Sequence, residues 1–280
     1  MFERINFALG FADKLYNVLQ DSILTTPGVR NTVIYLCFRN MTNWMQRTEL
    51  LIGTEGLERL KQSSVLIVGL GGVGGMAAEA ICRAGVGKLT LIDRDIVTET
   101  NINRQLIALT STVGMSKAEV LASRLRDINP AVVLHVITDW LDEKNMDQIL
   151  NEGKFDYVVD AIDTLSPKVH LLKNCVEKGI KVVSAMGAGA KTDPAKVKID
   201  DISKTTYCPL AKAVRTRLHK LGVKRGVTVV YSTEEACKES VIETDEKYKR
   251  STTGTISYMP ALFGLMLASV VVRELAGTNA

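Results

Sequence analysis

The stretch that decides the fold is Gly69–Gly75, GLGGVGG, which follows the short apolar run SSVLIVG at residues 63–69. Small and apolar residues at helical spacing come next, over Gly74–Ala84. A buried strand, a glycine-rich loop and a helix in this order indicate a nucleotide site, because glycines let backbone N–H groups approach a phosphate at the helix N-terminus. We therefore assign four glycines to nucleotide binding: Gly69, Gly71, Gly72 and Gly74.

Strand and helix patterns alternate along the chain after this loop. The predicted strands are Lys88–Asp93, Ala131–Ile137, Phe155–Asp163 and Ile180–Ala190, and the predicted helices are Ser116–Asn129 and Pro167–Lys178. This alternation predicts right-handed crossovers and a doubly wound, mostly parallel, Rossmann-like α/β sheet. We place a nucleotide-binding region at residues 41–190 and a smaller α/β part of the same fold at 191–280.

The pattern changes in the C-terminal part. It predicts an antiparallel strand at 197–203, a basic helix at Pro209–Leu221, a strand at Gly226–Ser232 and a polar, mobile loop over Ser232–Gly254. The uncharged run Ile256–Val272 is at the lower limit of length for a membrane span. We interpret it as a buried helix, because serine, glycine and proline residues dilute it.

Composition excludes little, since the net charge is only +4. None of the five cysteines forms a Cys-x-x-Cys pair, so their spacing supports neither a zinc site nor a disulfide framework. Reduced thiols fit a cytoplasmic protein. Residues 1–40 have weak periodicity and no secretory signal, and we expect them to be a disordered or non-native extension.

Polar residues that suit a nucleotide follow the glycine loop. Asp93 ends the second predicted strand, where it can accept hydrogen bonds from ribose hydroxyls. Arg104 lies in the loop NINRQ at residues 101–105, Lys117 opens a helix, and Asp163 ends the fourth predicted strand. We expect all of them at the carboxyl ends of the strands, where ligands bind in such folds.

An arginine, a lysine and a carboxylate around the phosphates favour adenylyl transfer over hydride transfer. When a carboxylate attacks the α-phosphorus of ATP, Arg104 and Lys117 can neutralise the developing charge, and Asp163 can hold Mg²⁺. Each residue also has a structural interpretation. Arg104 would lie on a solvated loop, Lys117 at an exposed helix start, and Asp163 at a helix N-cap. Their occurrence together beside a glycine loop favours the functional interpretation.

The motifs GLGGVGG, LTLIDRD, NINRQ, SKAEV and VVDAID, in this order and spacing, resemble the ubiquitin-activating-enzyme-like adenylyltransferases. The resemblance covers roughly Arg47 to the C-terminus. It implies that Gly71 and its neighbours hold ATP, that Asp93 binds the ribose and that Asp163 binds magnesium. It also implies phosphate contacts from Asn103, Arg104, Gln105 and Lys117. Arg47 matches the arginine that reaches into the other subunit's site, which implies a homodimer.

Other stretches are similar to the tRNA threonylcarbamoyladenosine dehydratases within this family: DAIDTLSPKVHLL, MGAGAKTDPAKVKIDDISKT, PLAKAVRTRL and YSTE. This resemblance implies ATP-dependent activation of the threonyl carboxylate at tRNA position 37. Ring closure then releases AMP, with the net loss of one water. No nucleophilic cysteine is needed, because the attacking group is already held near the carbonyl. A sulfur-transfer partner, either a cysteine desulfurase or a sulfur acceptor, is left open.

The segment Lys204–Arg225 is rich in basic residues and contains no acid. A basic helix and turn beside Tyr207 suit contact with RNA phosphates, and a solvated helix face is the alternative. We assign six residues to tRNA binding: Lys212, Arg215, Arg217, Lys220, Lys224 and Arg225.

Three other functions remain as alternatives. An adenylyltransferase for a ThiS- or MoaD-type sulfur carrier shares the ATP site, but the missing cysteine pairs and the basic segment count against it. An NAD-dependent oxidoreductase would need a polar acid or base, and His135 and His170 fall in a predicted strand and helix. A scaffold without turnover would not need Arg104, Lys117 and Asp163 together.

Overall fold

The computed structural model describes residues 44–139, 141, 143–246 and 249–278. The extension expected at residues 1–40 lies outside the described residues. Residues 48–280 form one compact unit.

The helices and strands alternate over most of this unit. The helices are α1 Gln46–Gln62, α2 Gly74–Arg83, α3 Lys117–Ile128, α4 Glu143–Glu152, α5 Leu165–Glu177, α6 Pro209–Lys220 and α7 Tyr258–Ala276. The strands are β1 Ser64–Val68, β2 Lys88–Ile92, β3 Val133–Ile137, β4 Tyr157–Asp160, β5 Val182–Ala185, β6 Val197–Asp201, β7 Thr228–Ser232, β8 Val241–Glu246 and β9 Lys249–Thr253.

Seven strands form one sheet in the order β3-β2-β1-β4-β5-β7-β6. Every neighbouring pair is parallel except β6 and β7, which run antiparallel with Ile199 opposite Val230. The predicted doubly wound fold and the predicted antiparallel strand are therefore confirmed. The chain connections reverse direction between β1 and β4, and the crevice at the carboxyl ends of such strands is where these sheets bind ligands.

Helices cover both faces of the sheet, which explains why the central strands are almost continuously apolar. On one face, α2, α3 and α7 pack on the sheet through Ile81, Leu125 and Phe263. On the other face, α4, α5 and α6 pack through residues such as Leu150 and Leu172. The sheet is thus buried between two apolar layers, and its polar chemistry is confined to its edges and strand ends.

Some elements differ from the sequence-based predictions. Strand β4 ends at Asp160 rather than Asp163, because the Asp160 side chain accepts a hydrogen bond from the backbone N–H of Ile162 at 3.1 Å and turns the chain. Helix α4 was not predicted, since few of its residues are apolar. The prediction of a loop over Ser232–Gly254 is wrong for 241–246 and 249–253, where β8 and β9 pair antiparallel with an irregular register.

The first helix begins at Gln46 and is broken at Gly53, whose φ of 75° is left-handed. The Thr54 hydroxyl donates a hydrogen bond to the Glu49 side chain at 3.0 Å.

The apolar run near the C-terminus forms α7, the helix of the described chain that is long and apolar enough to cross a membrane. It packs closely on α2: a Cβ on Gly264 would lie 2.4 Å from the carbonyl oxygen of Val73, so only glycine permits this approach. Met259, Phe263 and Leu267 on α7 are fully buried in the core. This packing supports the interpretation of α7 as a core helix.

Candidate nucleotide site and basic surface

The glycine loop is held in a tight turn that depends on residues without side chains. Gly69 has a φ of 85°, in the left-handed region that favours glycine. A Cβ on Gly74 would lie 1.7 Å from the carbonyl oxygen of Gly69, which no side chain can tolerate. The turn leads directly into α2 at Gly74, so the helix N-terminus faces the crevice at the carboxyl end of β1.

Asp93 follows β2 and is tied to the glycine loop. Its Oδ2 accepts a hydrogen bond from the backbone N–H of Leu70 at 2.6 Å, and its Oδ1 accepts one from the N–H of Asp95 at 2.8 Å. Burial raises the pKa of Asp93, and the two backbone N–H groups and the nearby Lys117 ammonium only partly offset this. Each carboxylate oxygen keeps acceptor capacity for a ribose hydroxyl.

Lys117 is the first residue of α3, yet it is buried, with only 6% of its surface exposed. The interpretation of Lys117 as an exposed helix start is therefore wrong. Its Nζ lies 2.9 Å from Oδ2 of Asp95, and its backbone N–H donates to the Asp95 carbonyl at 3.0 Å. The ammonium is thus held near the Asp93 carboxylate, on the carboxyl-end side of β2.

The loop at 101–105 packs against the glycine loop. A Cβ on Gly72 would lie 3.0 Å from the Arg104 carbonyl oxygen, and one on Gly71 would lie 3.5 Å from Nε2 of Gln105. The Arg104 guanidinium is half-buried and donates to the Thr100 carbonyl at 2.8 Å, so it does not lie free on a solvated loop.

Two amide side chains complete this loop. Oε1 of Gln105 is buried without a hydrogen-bond partner among the described residues. Asn103 donates from Nδ2 to the Thr255 carbonyl at 2.9 Å, which ties the loop to the segment that leads into α7. Gln105 therefore has unused acceptor capacity beside the glycine loop.

A buried polar network that the sequence did not reveal lies under this site. Lys168 of α5 and Asp160 and Ser184 at the ends of β4 and β5 have no exposed surface. The Lys168 Nζ lies 2.5 Å from Oδ2 of Asp160, which also accepts a hydrogen bond from the Ser184 hydroxyl at 2.5 Å. The Lys168 ammonium donates to the Ala185 carbonyl at 3.0 Å as well. The network locks together the ends of two neighbouring strands where ligands bind.

The same network supports the chain that leads to Asp163. The Asp160 carboxylate accepts a hydrogen bond from the N–H of Ile162, which turns the chain after β4. The Ala161 carbonyl oxygen lies against the glycine loop, where a Cβ on Gly69 would be 2.7 Å from it. Asp163 is exposed, and its Oδ1 accepts a hydrogen bond from the Thr164 hydroxyl at 3.3 Å. Thr164, not Asp163, is the N-cap residue of α5, so the N-cap interpretation of Asp163 is wrong.

Asp163 offers a carboxylate to a cation. Within the described residues, there is no group of three or more histidine, cysteine or acidic side chains that could hold a metal ion by themselves. A single exposed carboxylate such as Asp163 is a ligand that suits Mg²⁺, because Mg²⁺ usually binds through one or two carboxylates together with substrate phosphates and water.

The basic surface is centred on α6. Lys212, Arg217 and Lys220 are exposed on this helix, and Lys224 and Arg225 are exposed in the turn that follows. Arg217 donates to the Ser166 hydroxyl at 3.0 Å, and it lines a shallow cavity of about 190 Å³ together with Lys220.

Arg215 is engaged differently from the other predicted RNA contacts. It is half-buried, and its Nη1 donates to the Thr205 carbonyl at 2.9 Å and to the Thr205 hydroxyl. The N-terminal end of α6 lies at the ligand edge of the sheet, since a Cβ on Gly187, just after β5, would be 3.6 Å from Sγ of Cys208. The basic surface therefore begins beside the nucleotide site.

Arg47 is the second residue of α1 and is exposed. Its predicted role involves a second subunit, so that role stays a prediction.

A doubly wound sheet with a glycine loop, a carboxylate just after the second strand and basic side chains at its switch point is typical of a nucleotide-binding α/β protein. The chain belongs to the ThiF family, whose model matches residues 45–280.

Relatives give a more specific picture. The chain is 43% identical over 243 residues to the tRNA threonylcarbamoyladenosine dehydratase of Bacillus subtilis, covering 84% of this chain and 95% of that protein. It is 42% identical over 201 residues to the dehydratase of Escherichia coli, covering 68% of this chain and 75% of that protein. The crystal structure of the E. coli enzyme, TcdA, in complex with ATP matches with a TM-score of 0.76 and 36% identity, covering 85% of this chain and 96% of that one.

Proposed function

We propose that this chain is an ATP-dependent dehydratase that cyclises N6-threonylcarbamoyladenosine at position 37 of tRNA through adenylation of its carboxylate. The observation that carries the proposal is the convergence of Asp93, Arg104, Lys117 and the Asp163 loop on one glycine loop, in a chain more than 40% identical to two enzymes of that name. ATP binding by this chain is supported by the ATP complex of the E. coli relative.

In the first step, the threonyl carboxylate attacks the α-phosphorus of ATP, and pyrophosphate leaves. The N–H groups at the start of α2 face the phosphates, and Asp93 holds the ribose. Arg104 and Lys117 are cations that can offset the charge on the phosphoryl oxygens as the leaving bond breaks. For this, the Lys117 ammonium exchanges part of its contact with Asp95 for the phosphate.

In the second step, a nucleophilic atom of the carbamoyl group attacks the acyl-adenylate carbonyl. The ring closes, the proton of the nucleophile is released, and AMP leaves with the former carboxylate oxygen. The net change in the nucleoside is the loss of one water. No enzyme nucleophile is required, because both groups belong to one side chain and the attack is intramolecular.

Three further features belong to the proposal. Asp163 would hold Mg²⁺, which supplies charge neutralisation at the phosphates when bound. The enzyme would be a cytoplasmic homodimer, with Arg47 reaching the site of the second subunit. The exposed cations Lys212, Arg217, Lys220, Lys224 and Arg225 would contact tRNA phosphates.

The test is mass spectrometry of nucleosides from threonylcarbamoyladenosine-bearing tRNA after incubation with the protein, ATP and Mg²⁺. We expect the nucleoside to lose the mass of one water, with AMP formed in equal amount. Asp163→Ala should abolish the loss. The matched control Asp127→Ala, an exposed aspartate on α3, should retain it.

Two results would contradict the proposal. One is an unchanged nucleoside with the native protein. The other is ATP–pyrophosphate exchange that appears only when a ThiS- or MoaD-type carrier protein is added, which would favour the sulfur-carrier alternative.

A further inference from the structure

Tyr207 stands out on the basic surface because its backbone and its side chain are both unusual. The residue is 67% exposed, the largest exposed fraction among the exposed aromatic residues that the structure describes. Its φ is 56°, in the left-handed region that non-glycine residues rarely adopt. The N–H of Cys208 donates to the carbonyl of Thr206 at 2.6 Å, which closes a three-residue turn centred on Tyr207.

Neither packing nor backbone preference explains a tyrosine at this position. Glycine would adopt the left-handed conformation without strain, and an exposed ring contributes little to the core. A strained backbone conformation persists only where the surroundings enforce it, and such residues cluster at functional sites.

The surroundings hold this turn firmly. Thr205 is buried, and its hydroxyl donates to the Ile202 carbonyl at 2.8 Å. Arg215 reaches back from α6 to both oxygens of Thr205, and buried Cys208 follows the turn at the start of the helix. The tyrosine ring is therefore presented outwards between two fixed residues.

The ring lies near the edge of the sheet where the proposed substrate would reach the ATP site. Cys208 lies against Gly187, just after β5, and β5 is the neighbour of β4, which leads to Asp163. Lys204 and Lys212 are exposed on either side of Tyr207 in the chain. An exposed aromatic ring among cations at the edge of a phosphate-binding site is the arrangement with which proteins bind unpaired nucleotides.

We propose that Tyr207 is a stacking platform for one unpaired base of the anticodon loop, next to the base that is modified. This inference rests on the proposed function, because it takes tRNA as the substrate. The basic segment contains no acid, so its charge favours a polyanion such as RNA over a protein surface of mixed charge as the partner. Stacking of a neighbouring base would orient the loop so that its modified nucleotide reaches the acyl-adenylate site.

The test is equilibrium binding of an anticodon stem–loop RNA, without ATP or turnover, to the native protein and its variants. We expect about tenfold weaker binding by Tyr207→Ala and a change of less than about twofold for Tyr207→Phe, which keeps the ring. Tyr207→Gly should bind RNA as weakly as Tyr207→Ala while its thermal midpoint is no lower than that of the native protein, because glycine relieves the strain. Val133→Ala, which trims an exposed apolar side chain at the amino end of β3, should bind like the native protein.

A second measurement identifies the stacked base. Loop nucleotides are replaced one at a time by abasic nucleotides. At one position, the abasic replacement should weaken RNA binding by the native protein about tenfold. The same replacement should not change RNA binding by Tyr207→Ala, which has already lost the stacking contact. Native affinity in Tyr207→Ala, the same abasic profile in both proteins, or no binding of the stem–loop by the native protein would overturn the inference. If the native protein still removes one water from the modified nucleoside of the tRNA despite any of these results, the proposed function stands and only the stacking role fails.

Discussion

The nucleotide side and the basic side of the sheet edge are built by opposite means. On the nucleotide side, the backbone forms the site. The packing leaves no room for an added atom at Gly74, and the Asp160–Lys168 pair is completely buried. On the basic side, exposed cations stand on a helix that packs on the sheet through buried residues such as Val214 and Leu218.

The difference fits the two proposed substrates. ATP is small, so its phosphates need donors at fixed positions, and a rigid backbone supplies them. A tRNA is large and uniformly charged, so many long, mobile side chains can share its binding. Substitutions should therefore have concentrated effects on the first side and graded effects on the second.

The largest effect should come from breaking the buried pair. Lys168→Met leaves the Asp160 carboxylate buried without its partner, so the free energy of unfolding should fall by about 3–5 kcal/mol. Urea denaturation measures this. The matched change Lys212→Met on the basic side should alter the same free energy by less than about 0.5 kcal/mol. Equal effects of the two substitutions would remove the contrast.

The glycine loop should be the next most sensitive feature. A Cβ at Gly74 overlaps the Gly69 carbonyl, so Gly74→Ala must displace the loop. The affinity for ATP should therefore fall at least about tenfold, or 1.4 kcal/mol. At Gly75 the nearest atom to an added Cβ is 3.2 Å away, the carbonyl oxygen of Leu70, so Gly75→Ala should have a smaller effect. Calorimetric titration with ATP distinguishes them, and the reverse order would show that this overlap does not control the loop.

On the basic side, single substitutions should change tRNA affinity in small, additive steps. Replacing Lys212 and Lys220 by glutamine should lower the slope of log affinity against log salt by up to about 0.9 for each phosphate that is no longer neutralised. Lys173→Gln, on α5, is the control. Charge reversal of Arg215 and Arg217 should also weaken tRNA binding and leave ATP binding intact, but Arg215→Glu additionally breaks the contact with Thr205. A salt slope that does not change in the lysine variants would argue against RNA on this surface.

The smallest effect should be a pH-dependent contribution from Glu79 of α2. Burial acts to raise its pKa, but hydrogen bonds from Arg124 and Arg83 outweigh this and lower the pKa below the ordinary 4.5. Its contribution to stability is therefore complete above pH 4.5 and is lost as the pH falls through the lowered value. Glu79→Gln should cost about 1 kcal/mol at neutral pH and less in acid.

The control for Glu79 is an exposed ion pair on the basic side. Lys204 lies 3.1 Å from Asp200, whose pKa is lowered first by the backbone N–H of Asp201 and then by the Lys204 ammonium. Because this pair lies at the surface, Lys204→Gln should change the stability at acid pH less than Glu79→Gln does. Denaturation across the acid range compares the two variants. If the free energy of unfolding falls with pH in the same way for Glu79→Gln and the native protein, Glu79 does not make this pH-dependent contribution.

The same contrast explains how much the sequence could predict. The glycine loop and Asp93 were predictable, because the geometry of a phosphate site demands particular residue types at a fixed spacing. Lys168 was not, since nothing local distinguishes it from a surface lysine and its burial depends on how α5 lies over β4 and β5. The sequence also suggested that Arg215 contacts RNA, and this stays a prediction. Its bond to Thr205 could not be predicted, because no helical pattern reveals such a contact.

Helix α7 has a consequence for how the protein is made. Helix α7 places Gly264 against Val73, and a Cβ on Gly72 would lie 2.9 Å from the Pro260 side chain, so α7 supports the glycine loop from outside. Synthesis proceeds from the N-terminus, and the loop therefore emerges from the ribosome about 190 residues before this support, as the positions of Gly72 and Gly264 show. The nascent chain thus lacks a finished nucleotide site until α7 docks, and a chain truncated before residue 258 would keep every nucleotide motif without the support that α7 gives them.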